Sequence, residues 1–180
     1  PRGIGEDVIV LPFNSTQAAQ RLLMENRDSL AAVIVEPILG ASGMIPASQD
    51  YLEMLRDTTS NLGALLIFDE VISFRIAPGG AQEYYGITPD LTCLGKFIGG
   101  GFPVGAFGGR EDIMALFDPT QGTPRIAHGG SFNANPVTMV SGITTFEQLT
   151  PEVYRRLNDL GHSIRNKLSS LFHELEVPAQ

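Results

Sequence analysis

Along its first two thirds the chain alternates short apolar runs with stretches whose apolar residues recur every three or four positions. Val8-Ile9-Val10-Leu11 predicts a strand, after which Asn14 or Ser15 caps a helix to about Glu25 with Leu22 and Leu23 facing inward. Ala31 to Glu36 predicts a second strand, closed by Pro37. Ser48 opens a helix with Tyr51, Leu52 and Leu55 on one face, and Gly63 stops it. Ala64-Leu65-Leu66-Ile67-Phe68, ending in Asp69-Glu70, is a continuous apolar run that suits a central strand buried on both faces. Asp90 to Leu94 and Val104 to Gly108 predict two shorter strands flanked by glycine. Strand, helix and strand in this order imply an α/β layered sheet, parallel in its centre.

The period then changes. Thr150-Pro151-Glu152 is a helix start, with proline at the first helical position and an acid in the first turn. Val153, Leu157, Leu160, Ile164, Leu168, Leu171 and Leu175 follow at spacings of four and three, the stripe of one long amphipathic helix that needs a partner surface. The chain therefore divides into residues 1–149, the layered domain, and 150–180, a helix that starts something else.

Composition narrows the function. Twelve basic residues against 20 acidic ones leave a net charge of −8, which repels nucleic-acid phosphates and anionic lipid and argues against both as partners. No apolar run approaches the roughly 20 residues of a membrane span. A single cysteine, Cys93, forms no internal bridge and fits a reducing compartment such as the cytoplasm. His162 and His173 lie in the tail helix, away from every motif. The chain opens at Pro1 without an initiating Met and reads as cut from a longer protein.

Gly95-Lys96-Phe97-Ile98-Gly99-Gly100-Gly101 stands apart chemically. It is no phosphate-binding P-loop, since Asp90 occupies the place of the first glycine and Phe97 follows the lysine; the dinucleotide glycine spacing fails as well. Without a P-loop, Asp69-Glu70 is not an NTPase magnesium site. Most lysines are solvated loop residues. Leu94, Phe97, Ile98 and Phe102 give Lys96 an apolar setting instead, in which desolvation favours the neutral, nucleophilic amine able to condense with aldehydes. Asp69 sits at the carboxyl edge of a strand, where α/β folds gather ligands and where a carboxylate can hold a heteroaromatic nitrogen protonated. A strand-end acid, a lysine 27 positions later and a Gly-Gly-Ser loop at Gly129 to Ser131 are the parts that pyridoxal phosphate requires.

Phe68-Asp69-Glu70-Val71, Thr88-Pro89-Asp90-Leu91, Leu94-Gly95-Lys96, Gly99 to Arg110 and Gly130-Ser131-Phe132-Asn133-Ala134-Asn135-Pro136 together resemble the class III pyridoxal-phosphate-dependent aminotransferase family. Ala77 to Gly86, the triple glycine and Gly105-Ala106-Phe107-Gly108-Gly109 resemble in particular its glutamate-1-semialdehyde 2,1-aminomutase branch. The resemblance implies a three-layer fold-type I large domain, partial here, with a mostly parallel sheet, followed by the start of the small C-terminal domain. It implies pyridoxal 5'-phosphate as cofactor, with Lys96 as its Schiff-base lysine and proton-shuttling base, Asp69 on the pyridine nitrogen and Val71 on one ring face. Ser131 matches a residue that reaches the cofactor phosphate of the neighbouring subunit of a homodimer, and Glu36 a glutamate near the cofactor. The implied activity is rearrangement of an amino-aldehyde, glutamate-1-semialdehyde, to 5-aminolevulinate in tetrapyrrole (porphyrin) synthesis. Leu116-Phe117-Asp118-Pro119 with His128 to Asn133 also resembles β-amino-acid aminotransferases, so transfer from a β- or ω-amino acid to a keto acid is the alternative. A third reading is an inactive piece, because the family's main phosphate loop and ring-stacking aromatic do not occur before Val8.

Overall fold

The computed structural model describes residues 2–120 and 122–178. Helix α1, Thr16–Glu25, follows Asn14, whose backbone is left-handed (φ 58°) and whose side chain does not cap the helix. Its amide instead donates to the Pro46 carbonyl (2.9 Å), and its oxygen accepts from the Ser48 N–H (2.9 Å), joining the entries to two helices. Strand β1, Ala32–Val35, leads into a small antiparallel pair, β2 (Ile38–Leu39) and β3 (Ile45–Pro46). Helix α2, Gln49–Leu62, ends at Gly63, where φ of 68° suits a residue without Cβ. Strands β4 (Leu65–Asp69), β5 (Leu91–Gly95) and β6 (Gly105–Gly109) complete a four-stranded sheet of order β1-β4-β5-β6, parallel except for the antiparallel β5–β6 edge.

The core lies between this sheet and one helical layer. Val33, Val35, Leu66 and Phe68 face Ala19 and Leu23 of α1 and Tyr51, Leu52 and Leu55 of α2. Leu52, Leu55, Leu66 and Phe68 are wholly buried, each contributing about 1.5–3 kcal/mol of apolar transfer. The other face differs from the expectation for β4. Leu65 and Ile67 are half-buried and Ile34 is 63% exposed, so β4 is central but less fully covered on this face than on the other.

Val8 to Val10 are exposed and pair with no strand among the described residues, so the first predicted strand is absent. An extended run without a neighbouring ladder gains no sheet hydrogen bonds. Only Leu11 and Phe13 from this region pack on the core, with the Phe13 ring 5.5 Å from that of Tyr51.

Three helical elements were not anticipated from periodicity: α3 (Gly80–Tyr85), α4 (Glu111–Met114) and α5 (Pro136–Gln148). For α5 the signal was local. Asn135 accepts from the N–H groups of Val137 (3.0 Å) and Thr138 (3.3 Å), with Pro136 at the first helical position. Helix α6, Pro151–Glu174, is capped by Thr150 as the sequence indicates. Its Tyr154 is buried, while Leu160, Ile164, Leu168 and Leu171 along the stripe are exposed.

Candidate active site

Strands β1, β4 and β5 run parallel, so their carboxyl ends lie on one edge and bring Glu36, Asp69 and Lys96 to it in succession. Register fixes the spacing. Val35 pairs with Phe68, which places Glu36 and Asp69 at neighbouring positions, and Asp69 pairs with Cys93, three residues before Lys96. Val71 completes the group: its methyls lie 3.3 and 3.4 Å from the point where a Cβ on Gly95 would stand, so it packs directly against the residue preceding the lysine.

Asp69 Oδ1 accepts the Val71 N–H at 3.1 Å, and its second oxygen has no hydrogen bond among the described residues. Burial raises the Cys93 thiol above its ordinary range and the neighbouring Asp69 charge raises it further, which makes Cys93 a poor nucleophile, in keeping with a packing role. Glu36 is partly committed elsewhere, since its Oε2 accepts the Gly40 N–H at 3.1 Å and closes the turn after β1.

Lys96 departs from the expected apolar setting. It is exposed and forms no ion pair among the described residues. It starts a short 3₁₀ turn, Lys96–Gly99, with φ of 53°, a left-handed backbone that costs a non-glycine residue roughly 1–2 kcal/mol. Phe97 turns instead into a cluster with Phe74 (5.9 Å) and Phe146 (5.8 Å). The glycines after the lysine are only partly open: Gly101 is exposed, while Gly99 is buried and packs against Val104 and Thr138.

Ser131 is exposed on the loop before α5, and among the described residues no hydrogen bond joins it to Glu36, Asp69, Val71 or Lys96. Beside that loop is a hollow of about 750 Å³ lined in part by Phe107, Phe117, His128, Phe132 and Asn133. The His128 ring meets Phe107 and Phe117 edge-on at 5.4 and 6.1 Å.

Two acids from the same motifs serve the scaffold. Glu70 is wholly buried and accepts from Ala81 N (2.5 Å), Gln82 N (3.3 Å) and Ser73 Oγ (3.3 Å), holding the start of α3. Asp90 accepts from Leu66 N (2.7 Å), Arg56 Nη2 (3.0 Å) and Arg110 Nη1 (2.9 Å). Burial pushes its carboxyl up, but these hydrogen bonds and the Arg56 charge outweigh that and hold it below the usual carboxylate range.

The residues present suit a cofactor with an aldehyde and a basic ring nitrogen: a lysine without an ion pair and a strand-end carboxylate with one oxygen unbonded, both among the described residues, and an apolar side chain packed on Gly95. The fold is an α/β layer built on a mostly parallel sheet. Residues 9–180 match the family model Aminotransferase class-III, and the chain belongs to that family, whose members use pyridoxal phosphate. Glutamate-1-semialdehyde 2,1-aminomutase 1 of Staphylococcus epidermidis is 46% identical over 179 residues, covering 99% of this chain and 41% of that protein. Among solved structures, an omega-transaminase from Sphaerobacter thermophilus superposes with a TM-score of 0.96 at 49% identity, over 100% of this chain and 41% of that one. A β-phenylalanine aminotransferase from Variovorax paradoxus gives 0.87 at 46% identity, over 92% of this chain and 38% of that one. The chain thus spans about two fifths of the length of these relatives.

Proposed function

We propose that this segment supplies the lysine and the ring-nitrogen partner of a pyridoxal-phosphate enzyme that moves an amino group. The carrying observation is the placement of Asp69 and Lys96 at the carboxyl ends of adjacent parallel strands, with Val71 against Gly95 between them. Pyridoxal phosphate, when bound, supplies an electron sink for a substrate carbanion. Lys96 Nζ would be the amine that holds the cofactor's aldehyde carbon and, when free, the base for a proton on the substrate. The second oxygen of Asp69, without a hydrogen bond among the described residues, would hold the ring nitrogen protonated. Val71 offers an apolar surface to the ring, and Glu36, partly held by Gly40, borders the same edge.

The substrate proposed first is glutamate-1-semialdehyde, with intramolecular transfer, on the strength of the aminomutase relative at 46% identity. Transfer from an ω- or β-amino acid to a keto acid is supported by the transaminase structures at 49% and 46%. Incubating a full-length enzyme containing this segment with semialdehyde alone separates the two, since product without any co-substrate supports the mutase and strict dependence on a keto acid excludes it. Residues 1–149 are proposed as part of the cofactor domain and 150–180 as the start of the small domain. The exposed Ser131 loop is proposed to serve the phosphate in the other subunit of a homodimer. The lysine assignment is tested by borohydride reduction with pyridoxal phosphate and peptide mapping: the pyridoxyl group belongs on Lys96, and equal labelling of Lys167 overturns the assignment.

A further inference from the structure

The left-handed backbone at Lys96 is not relieved by a glycine, so neighbouring contacts must hold it. Beside Phe74 on Phe97 and Val104 on Gly99, a series of those contacts comes from one helix, α5. Ser141, in the second turn of α5, donates its hydroxyl to the Gly100 carbonyl at 2.8 Å. Gly142, beside it, carries no side chain where one could not fit: a Cβ there would stand 2.3 Å from the Ile98 carbonyl oxygen. Thr138, one turn earlier, lies within 3.6 Å of the Cβ position of Gly99, and Phe146, one turn later, packs on Phe97. The residues that follow Lys96 are therefore seated along α5 for most of its length. Gly100 itself has φ of 59°, and a Cβ on it would meet Ser141 at 2.3 Å, so the turn and the helix are in backbone contact.

We infer that Ser141 is a positioning residue for Lys96: its hydrogen bond to Gly100 latches the glycine turn to α5 and keeps the lysine in the left-handed conformation that aims its amine. Serine serves here because its hydroxyl is short enough to bond a carbonyl on a turn packed directly against the helix. Ser141 touches neither substrate nor cofactor; it acts through the turn. The latch also connects two parts of the proposed enzyme, because α5 begins just after Ser131. The loop assigned to the neighbouring subunit and the turn bearing this subunit's lysine rest on one rigid element. The inference rests on the assignment of Lys96 as the cofactor lysine for its meaning, although its test does not.

The chain has only two lysines, so Lys167, on the exposed tail helix, is an internal reference. The test measures the ratio of Lys96 to Lys167 modification by trinitrobenzenesulfonate in the chain without cofactor, and the same ratio for pyridoxal phosphate with borohydride trapping. Ser141→Ala should change the first ratio and lower the second by roughly 3- to 10-fold, the range a lost neutral hydrogen bond produces. Ser141→Thr, which keeps the hydroxyl, should restore both. Gly142→Ala, which pushes the turn off the helix, should reproduce the loss while far-ultraviolet circular dichroism shows the fold retained. Ratios in Ser141→Ala equal to those of the native chain, or no rescue by threonine, overturn the inference. A native chain that fails to favour Lys96 with pyridoxal phosphate, yet responds to Ser141→Ala with trinitrobenzenesulfonate, overturns the cofactor assignment and leaves the latch standing.

Discussion

Replacing Asp90 should uncouple the sheet in a way that can be worked out bond by bond. The carboxylate sits between three strands and a helix. It takes the Leu66 N–H from β4 and Arg56 from α2 on one oxygen, and Arg110, just past β6, on the other. Asp90→Ala leaves the buried Leu66 N–H without a partner, a cost of about 1–3 kcal/mol, and removes a charge-assisted bond from Arg56, whose side chain is 22% exposed, for about 1.5–3 kcal/mol. Arg110 is half exposed and keeps Asp112, so its loss adds little. With partial relaxation the total is about 3–5 kcal/mol, a large share of a domain's usual stability. Asp90→Asn can still offer one oxygen to Leu66 and Arg56 while Arg110 swings to solvent, so it should cost about 1–2 kcal/mol. The sign with pH follows from the lowered carboxyl. Its contribution is present above the ordinary carboxylate range and is lost as pH falls from about 4 through the folded value. Denaturant unfolding followed by circular dichroism, repeated at steps from neutral to acid pH, measures both. An Ala variant within 1 kcal/mol of the native chain at pH 7, or an Asn variant that keeps the native acid slope, would refute the reasoning.

Other outcomes are as specific. Glu70→Ala should destabilise by about 3 kcal/mol, because the N–H groups of Ala81 and Gln82 lose their buried acceptor, and thermal unfolding checks it. Cys93 should react slowly with iodoacetamide at neutral pH and faster as pH rises, and Asp69→Asn should speed it by removing the charge that disfavours the thiolate; an unchanged rate in that variant would contradict the paired placement of the two residues. Leu55→Ala, at a fully buried core position, should cost about 2–5 kcal/mol in denaturant unfolding.

The placement of the candidate residues was legible where it depended on local order along the chain. Asp69 at a strand end and Lys96 just after the next paired strand follow from two apolar runs and their termini, and the parallel register does the rest. Less was legible where meaning depended on distant partners. Asp90 and Glu70 look like ordinary turn and strand-end acids, and only tertiary approach shows that Arg56, 34 residues away, and α3 engage them. The glycines after Lys96 suggested open space by composition, which holds for Gly101, whereas the helix lying across Gly99 and Gly100 makes those two points of close packing. Lys96 showed the reverse error, since apolar neighbours in sequence turned elsewhere and left it exposed. Val8 to Val10 failed as a strand because β-propensity describes fit to a sheet, and no sheet edge receives this run.

The antiparallel edge has a kinetic consequence. Gly95 and Gly105 pair across a loop of nine residues that contains Lys96, whereas Ala32 and Leu65, or Ile67 and Leu91, must find each other across 33 and 24 positions. Closing the shortest of these loops costs the least chain entropy, so within the four-stranded sheet the hairpin around the lysine is the contact favoured to form first. The geometry around the amine would then be laid down by neighbours in sequence, ahead of the non-local pairing that brings Asp69 alongside. Amide exchange through refolding would show this as early protection in β5 and β6, with β1 following.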